Sequence, residues 1–181
     1  MLLAAVLVPV LLEIEPLVIF VRRAAHVRTH PGEIAFPGGM VDHSDGDDRR
    51  TTALRECEEE LGVGREAFLI VAQLPETELR MRGVRVTPFV AVADPPLKLV
   101  PNQNEISEVL SIPLAAVLKP NAVHEGEEIL PDRTVRTWQF DFESLHVWGA
   151  TGRILRDFAT RFGDCPDKLS TYSLPSKFAA R

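Results

Sequence analysis

The chain has 181 residues, enough for one domain with its own core. With 45% apolar and 25% charged residues its composition is that of a globular protein. A formal net charge of -6 argues against a general nucleic-acid binder, which carries a basic surplus, but leaves room for an anionic small molecule held by local arginines.

Two strands are expected first, near Ala4–Leu12 and Leu17–Val21, broken by Glu-Pro. The leading apolar run, residues 1–12, is too short to span a bilayer. It has no basic n-region, and Glu13 and Glu15 stand where a cleavage site would need small residues, so neither a signal peptide nor a membrane partner is expected. A segment rich in His, Pro and Gly, residues 26–39, comes next. A helix over roughly Asp48–Leu61 follows, ended by Gly62 as its C-cap. Strand-like segments are Ala67–Gln73, Gly83–Asp94 and Leu97–Val100, of which VRVTPFVAVA is the clearest through its β-branched residues. Pro101–Glu108 reads as a polar loop, Val109–Pro113 as a strand and Leu114–Leu118 as a short helix. Thr134–Phe142 reads as a strand, and Ala150–Phe162 as a helix carrying Ile154, Leu155, Phe158 and Phe162 on one face. One domain over 1–163 is expected, with a poorly ordered tail over 164–181. Strands, helix, strands, helix is the order of an α/β or α+β sandwich rather than a bundle. Cys57 and Cys165 form no CxxC pair, which fits a reducing cytoplasm.

The stretch LRECEEELGV gathers Glu56, Glu58, Glu59 and Glu60 on one predicted helix. Like charges one turn apart repel by roughly 0.2–0.5 kcal/mol per pair. At about 100° per residue, Glu56, Glu59 and Glu60 share a stripe, beside an apolar stripe of Ala53, Leu54, Cys57 and Leu61. Glu58 points elsewhere. Cys57 therefore reads as core and not as a nucleophile. Three carboxylates on a rigid support suit Mg²⁺ or Mn²⁺; a solvated acidic face is the other reading. An EF-hand does not fit, because aligning Gly46 to its loop glycine puts Val41, His43 and Thr52 at ligand positions. The chain has no phosphate loop ending in Gly-Lys-Ser/Thr, no GxGxxG, no HExxH and no GxSxG. His26, His30 and His43 have no zinc-site spacing with a cysteine. Trp138 and Trp148 are expected in the core rather than as a base-stacking platform.

Gly39 followed by Arg55-Glu56-Cys57-x-Glu59-Glu60-x-Gly62-Val63 resembles the signature of the Nudix hydrolases, whose right half reads Arg-Glu-U-x-Glu-Glu-x-Gly-U with U apolar. The right half matches at every fixed position. The left half departs: the gap from Gly39 to Arg55 is two residues longer than the family spacing, and Asp42, Asp45, Asp47 and Asp48 stand where the family has one glutamate. Upstream, Arg23-Ala24, Arg28, Gly32 and Phe36-Pro37-Gly38-Gly39 resemble the segment that marks the coenzyme A diphosphatase branch. The segment WGATGRIL, residues 148–155, is similar to the start of that branch's last helix.

The resemblance implies a Nudix fold, an α/β/α sandwich with a mixed sheet. It implies hydrolysis of the diphosphate of a nucleotide derivative, coenzyme A first, giving 3′,5′-ADP and 4′-phosphopantetheine. Glu56 and Glu60 match the family's metal positions, and Glu59 a third that binds a further ion or orients water. Arg55 would pair with a carboxylate of the helix. A downstream acid often completes such sites, and Glu105 or Glu108 could supply it. Gly38 and Gly39 would let the backbone approach phosphate or take positive φ. Arg22, Arg23, Arg28 and His30 form a local positive cluster, in which Arg23 and Arg28 match the branch motif and suit phosphate recognition. The implied cofactor is Mg²⁺ or Mn²⁺ and the implied partner a small-molecule nucleotide; a homodimer is compatible with this reading. Other Nudix substrates (ADP-ribose, a dinucleotide, a modified dNTP) and a non-catalytic nucleotide-binding module are the alternatives.

Overall fold

A computed structural model describes residues 1–27, 30–79 and 83–172. In chain order the elements are β1 (Leu2–Leu11), β2 (Leu17–Arg23), β3 (Ile34–Ala35), β4 (Gly38–Met40), α1 (Arg49–Leu61), β5 (Leu69–Gln73), β6 (Thr77–Leu79), β7 (Val84–Ala93), β8 (Ile106–Pro113), α2 (Leu114–Val117), β9 (Val123–Leu130), β10 (Arg133–Phe142), β11 (Leu145–Val147), α3 (Gly149–Phe162) and α4 (Asp167–Ser170).

β1 and β7 run parallel at the centre, paired from Leu2↔Val84 to Leu11↔Ala93. Both are apolar almost throughout, as strands covered on both faces must be. One face sends Ala4, Val8, Val10, Val86, Val90 and Val92 into a cluster with Ile154, Leu155, Phe158 and Phe162 of α3. The other sends Ala5, Leu7, Leu11, Phe89 and Ala91 into a cluster with Ala53, Cys57 and Leu61 of α1. The architecture is the expected α/β/α sandwich on a mixed sheet, since β2, β4, β5 and β6 join it antiparallel.

One feature of the sheet positions the site. β1 pairs with β2 only at Val10↔Val18 and Leu11↔Leu17, after which the two strands diverge. The segment 34–40 fills the gap: β3 pairs with Val21 and Arg22 of β2, and β4 pairs with Ala4, Ala5 and Val6 of β1. The Phe36-Pro37-Gly38-Gly39 turn is thereby wedged into the sheet next to α1.

A second sheet, β11-β10-β9, was not expected from the sequence. β10 was legible, but β9 is half solvent-facing and carries many charges, so its apolar pattern is weak; its hairpin with β10, turning between Leu130 and Arg133, makes it a strand. Helix α3 lies close against β10, where a Cβ on Gly152 would stand 2.1 Å from the Trp138 carbonyl oxygen.

Other expectations are corrected. Leu97–Val100 forms no strand. Prolines at 95, 96 and 101 cannot donate to a ladder, and the segment instead caps α1, with the Val100 N–H donating to the Leu61 carbonyl at 2.7 Å and the Asn102 N–H to the Glu60 carbonyl at 2.9 Å. The strand expected at Val109–Pro113 starts earlier, at Ile106. Of the tail expected over 164–181, residues 173–181 lie outside the described residues, and Asp167–Ser170 form α4, which buries Leu169 completely. Trp138 and Trp148 are half-buried rather than core, and the Arg156 guanidinium lies 5.0 Å over the Trp138 ring. Among the described residues no helix is long and apolar enough to cross a membrane.

Candidate functional site

Helix α1 is held at both ends by its own sequence. The Asp48 carboxylate accepts from the Arg50 N–H at 3.0 Å as N-cap. Gly62 takes the left-handed conformation at φ 66°, and its N–H donates to the Glu58 carbonyl at 2.8 Å. Ala53, Cys57 and Leu61 are fully buried against the sheet, and burial pushes the Cys57 thiol far up its titration range, so it is inert core. The neighbouring stripe faces β4 and the strap 94–105.

Arg55 is the hub of that face. Its Nε donates to Asp45 Oδ1 at 2.7 Å and its Nη2 to Asp45 Oδ2 at 3.0 Å. Nη2 also reaches the Met40 carbonyl at 3.1 Å, while Nη1 lies 2.9 Å from Glu56 Oε1 and 3.1 Å from Glu59 Oε2. Asp45 is buried and accepts from the Thr52 hydroxyl and the Asp42 N–H as well. The Arg55 hydrogen bonds hold the Asp45 carboxyl far below the usual carboxylate range despite its burial. Asp45 in turn raises the Arg55 guanidinium above its ordinary value. From the sequence, Arg55 is expected to pair with a helix carboxylate; it does, but its strongest partner is in the lengthened loop. The readable signal is the spacing of Asp42 and Asp45, which form a capping box around a short 3₁₀ turn, His43–Asp45.

Glu60 is 2% exposed. Its Oε2 accepts from the Gly38 N–H at 3.2 Å, and its Oε1 lies 3.8 Å from Arg23 Nη1. These contacts do not outweigh burial, which pushes the carboxyl up to about 8, with Glu56 and Glu105 adding repulsion. Burial likewise raises Glu56, against the Arg55 charge. Arg23 stands where the pairing of β2 with β8 shifts register, with Ser107 of β8 as the extra, bulged residue. Gly39 is needed where it stands: a Cβ there would lie 2.4 Å from the Glu56 carboxyl carbon. Gly38, at φ 154°, would drive a Cβ to 2.4 Å from the Ala5 carbonyl oxygen. The close approach at Gly39 is thus made by a carboxylate.

The strap brings Glu105 near enough to repel the charges of both Glu56 and Glu60. Glu108 points elsewhere and pairs with Arg22 Nε at 3.0 Å. His30 pairs with Glu33, and Arg28 lies outside the described residues. Hollows of about 550 and 590 Å³ flank the N-terminal end of α1, but Glu56, Glu60 and Glu105 line neither. Among the described residues no three acidic, histidine or cysteine side chains close around one point. Glu56 and Glu60 nevertheless fit a hard divalent ion. They are oxygen donors on successive turns, Glu60 buried and Glu56 half-buried, and such ions commonly take one or two carboxylates and complete their shell with water and substrate phosphate.

A profile of the NUDIX domain matches residues 1–133. The uncharacterized Nudix hydrolase NudL of Salmonella paratyphi B is 36% identical over 163 residues, covering 90% of this chain and 84% of that protein. Among solved structures, the binary complex of a C. elegans Ap4A hydrolase superposes with a TM-score of 0.58 at 19% identity, covering 91% of this chain and 99% of that one. The MutT protein of Methanosarcina mazei Go1 gives 0.55 at 18% identity, covering 88% and 93%. At these identities the structures speak for the fold.

Proposed function

Because the chain belongs to the Nudix hydrolase family, we propose that it is a Mg²⁺- or Mn²⁺-dependent diphosphatase whose substrate is coenzyme A or a derivative. The observation that carries the metal-dependent reading is Glu60, a carboxylate 2% exposed whose burial outweighs its positive contacts. Apolar packing alone would not retain such a group one turn from Glu56.

Bound there, a divalent ion would neutralise diphosphate oxygens and lower the pKa of a water. Glu56 and Glu60 would hold it. Arg55, locked to Asp45, orients Glu56 and Glu59 and offsets part of their repulsion. Glu59, exposed at the rim, and Glu105, on the strap, would orient water or accept its proton. Gly38 and Gly39 keep the wall of the site at backbone width, and Arg23 with Arg28 supplies positive charge for phosphate.

The coenzyme A assignment rests on the motif from Arg23 to Gly39. The pairing of Arg23 with Glu60 favours a second reading, a substrate without a 3′-phosphate such as ADP-ribose, because it turns Arg23 toward the metal site. Hydrolysis of coenzyme A, ADP-ribose, a dinucleoside polyphosphate and a dNTP should be followed with and without Mg²⁺ or Mn²⁺, for the wild type and Glu60→Gln. Metal-dependent cleavage lost in Glu60→Gln, fastest for coenzyme A, is expected. No cleavage of any diphosphate would overturn the enzyme, and faster ADP-ribose turnover would overturn the substrate alone.

A further inference from the structure

Glu105 lies on a loop, yet its backbone is fixed at both ends. Its N–H donates to the Asn102 carbonyl at 2.9 Å, and its carbonyl accepts from the Ala24 N–H at 2.8 Å. The next carbonyl back, that of Asn104, accepts from His26 Nε2–H at 2.9 Å. What the backbone leaves free is the Glu105 side chain. That side chain is exposed, and its charge is close enough to repel those of Glu56 and Glu60, so only a partner keeps it on their side of the strap.

Asn102 supplies that partner. Its Nδ2 donates to Glu105 Oε1 at 3.3 Å, and its Oδ1 accepts from the Asn104 N–H at 3.2 Å. A backbone N–H can only donate and an ionised carboxylate can only accept, so these two contacts together determine which way the amide faces. The Asn102 N–H donates to the carbonyl of Glu60 itself at 2.9 Å, and its carbonyl also takes the Ile106 N–H at 2.8 Å. One half-buried residue therefore links the backbone of the buried acid on α1 to the carboxylate on the strap. The amide is neutral, so it steers Glu105 without offsetting the negative charge that a cation needs. A lysine or arginine there would hold Glu105 equally well but would compete with the metal.

We propose that Asn102 is a positioning residue for the hydrolytic site: through its side-chain amide it holds the Glu105 carboxylate toward Glu56 and Glu60. The inference rests on the metal-dependent reading of those acids.

The test compares wild type, Asn102→Ser, Glu105→Gln, their double variant and Glu60→Gln. A serine hydroxyl can still accept from the Asn104 N–H and keep the turn, but is too short to reach Glu105. Mn²⁺ binding without substrate, read by electron paramagnetic resonance, is measured beside hydrolysis of coenzyme A and ADP-ribose and beside the melting temperature. Asn102→Ser is expected to weaken Mn²⁺ binding or lower kcat roughly 10-fold to 100-fold, at little change in KM or melting temperature. In the Glu105→Gln background it should add almost nothing. Wild-type Mn²⁺ binding and kcat in Asn102→Ser, or an equal loss in both backgrounds, would overturn the positioning role. Wild-type binding and hydrolysis in Glu60→Gln would instead overturn the metal reading on which it stands.

Discussion

Asp45 and Arg55 face each other through two parallel hydrogen bonds, Nε to Oδ1 at 2.7 Å and Nη2 to Oδ2 at 3.0 Å. A bidentate pair fixes the guanidinium plane as well as its position. The remaining Nη1 is thereby aimed at Glu56 and Glu59. Asp45→Ala should cost about 3 kcal/mol of stability by removing the main partner of a mostly buried arginine. It should also lower kcat/KM roughly 10-fold to 100-fold, because two acids lose their orienting group. Urea unfolding and steady-state kinetics measure the two effects. Unchanged kinetics with lowered stability would confine Asp45 to the fold.

Gly38 and Gly39 should respond differently to alanine. At Gly38 the new Cβ meets backbone, 2.4 Å from the Ala5 carbonyl oxygen, so Gly38→Ala should chiefly lower the melting temperature. At Gly39 it meets a side-chain terminus, the Glu56 carboxyl. That group can move aside, so Gly39→Ala should fold but bind Mn²⁺ more weakly. Equal loss of metal binding at matched stability in both would contradict the distinction.

The Glu60 carboxyl, pushed by burial up to about 8 from an ordinary 4.5, gives a signed pH dependence. Protons are held more tightly in the folded state, so without metal its contribution is fully present below its ordinary value and is lost as pH rises through about 8. A divalent ion reverses this by favouring the ionised form. Mn²⁺ should raise the melting temperature more above pH 8 than well below it, and chelation should abolish the gain. Glu60→Gln should be the more stable protein in alkaline chelator and insensitive to Mn²⁺.

His146 bridges the small sheet. Nδ1 lies 2.7 Å from Asp141 Oδ1 on β10, and Nε2 lies 2.9 Å from Glu128 Oε2 on β9. Both carboxylates accept, so the ring donates from both nitrogens as an imidazolium, and Asp141 followed by Glu128 raises its pKa. Its contribution is therefore complete below the ordinary value of 6.5 and fades as pH rises through the elevated folded value. His146→Gln should remove this slope from the stability profile. Proton titration by NMR should place the His146 transition above that of an exposed histidine.

The sequence by itself determined helix α1, its caps and the stripe of Glu56, Glu59 and Glu60, because these depend on neighbours within a turn or two. The central strands β1 and β7 were legible for a similar reason: burial on both faces demands a continuous apolar run. The short elements β3, β4, β6 and β11 and the charged strand β9 were not: β4 is a strand only through its distant partner β1, and the others, though paired with a neighbour in the chain, are too short or too charged to show a pattern. Tertiary structure alone decided which aspartate of the loop takes Arg55, that Gly39 makes room for Glu56, and that Arg23 turns inward at a bulge. It also decided that Leu97–Val100 caps a helix and that Asn102 joins Glu60 to Glu105. Each of these is a contact beyond a helical turn, most of them between segments far apart in the chain, and composition or periodicity carries no record of distance across a fold.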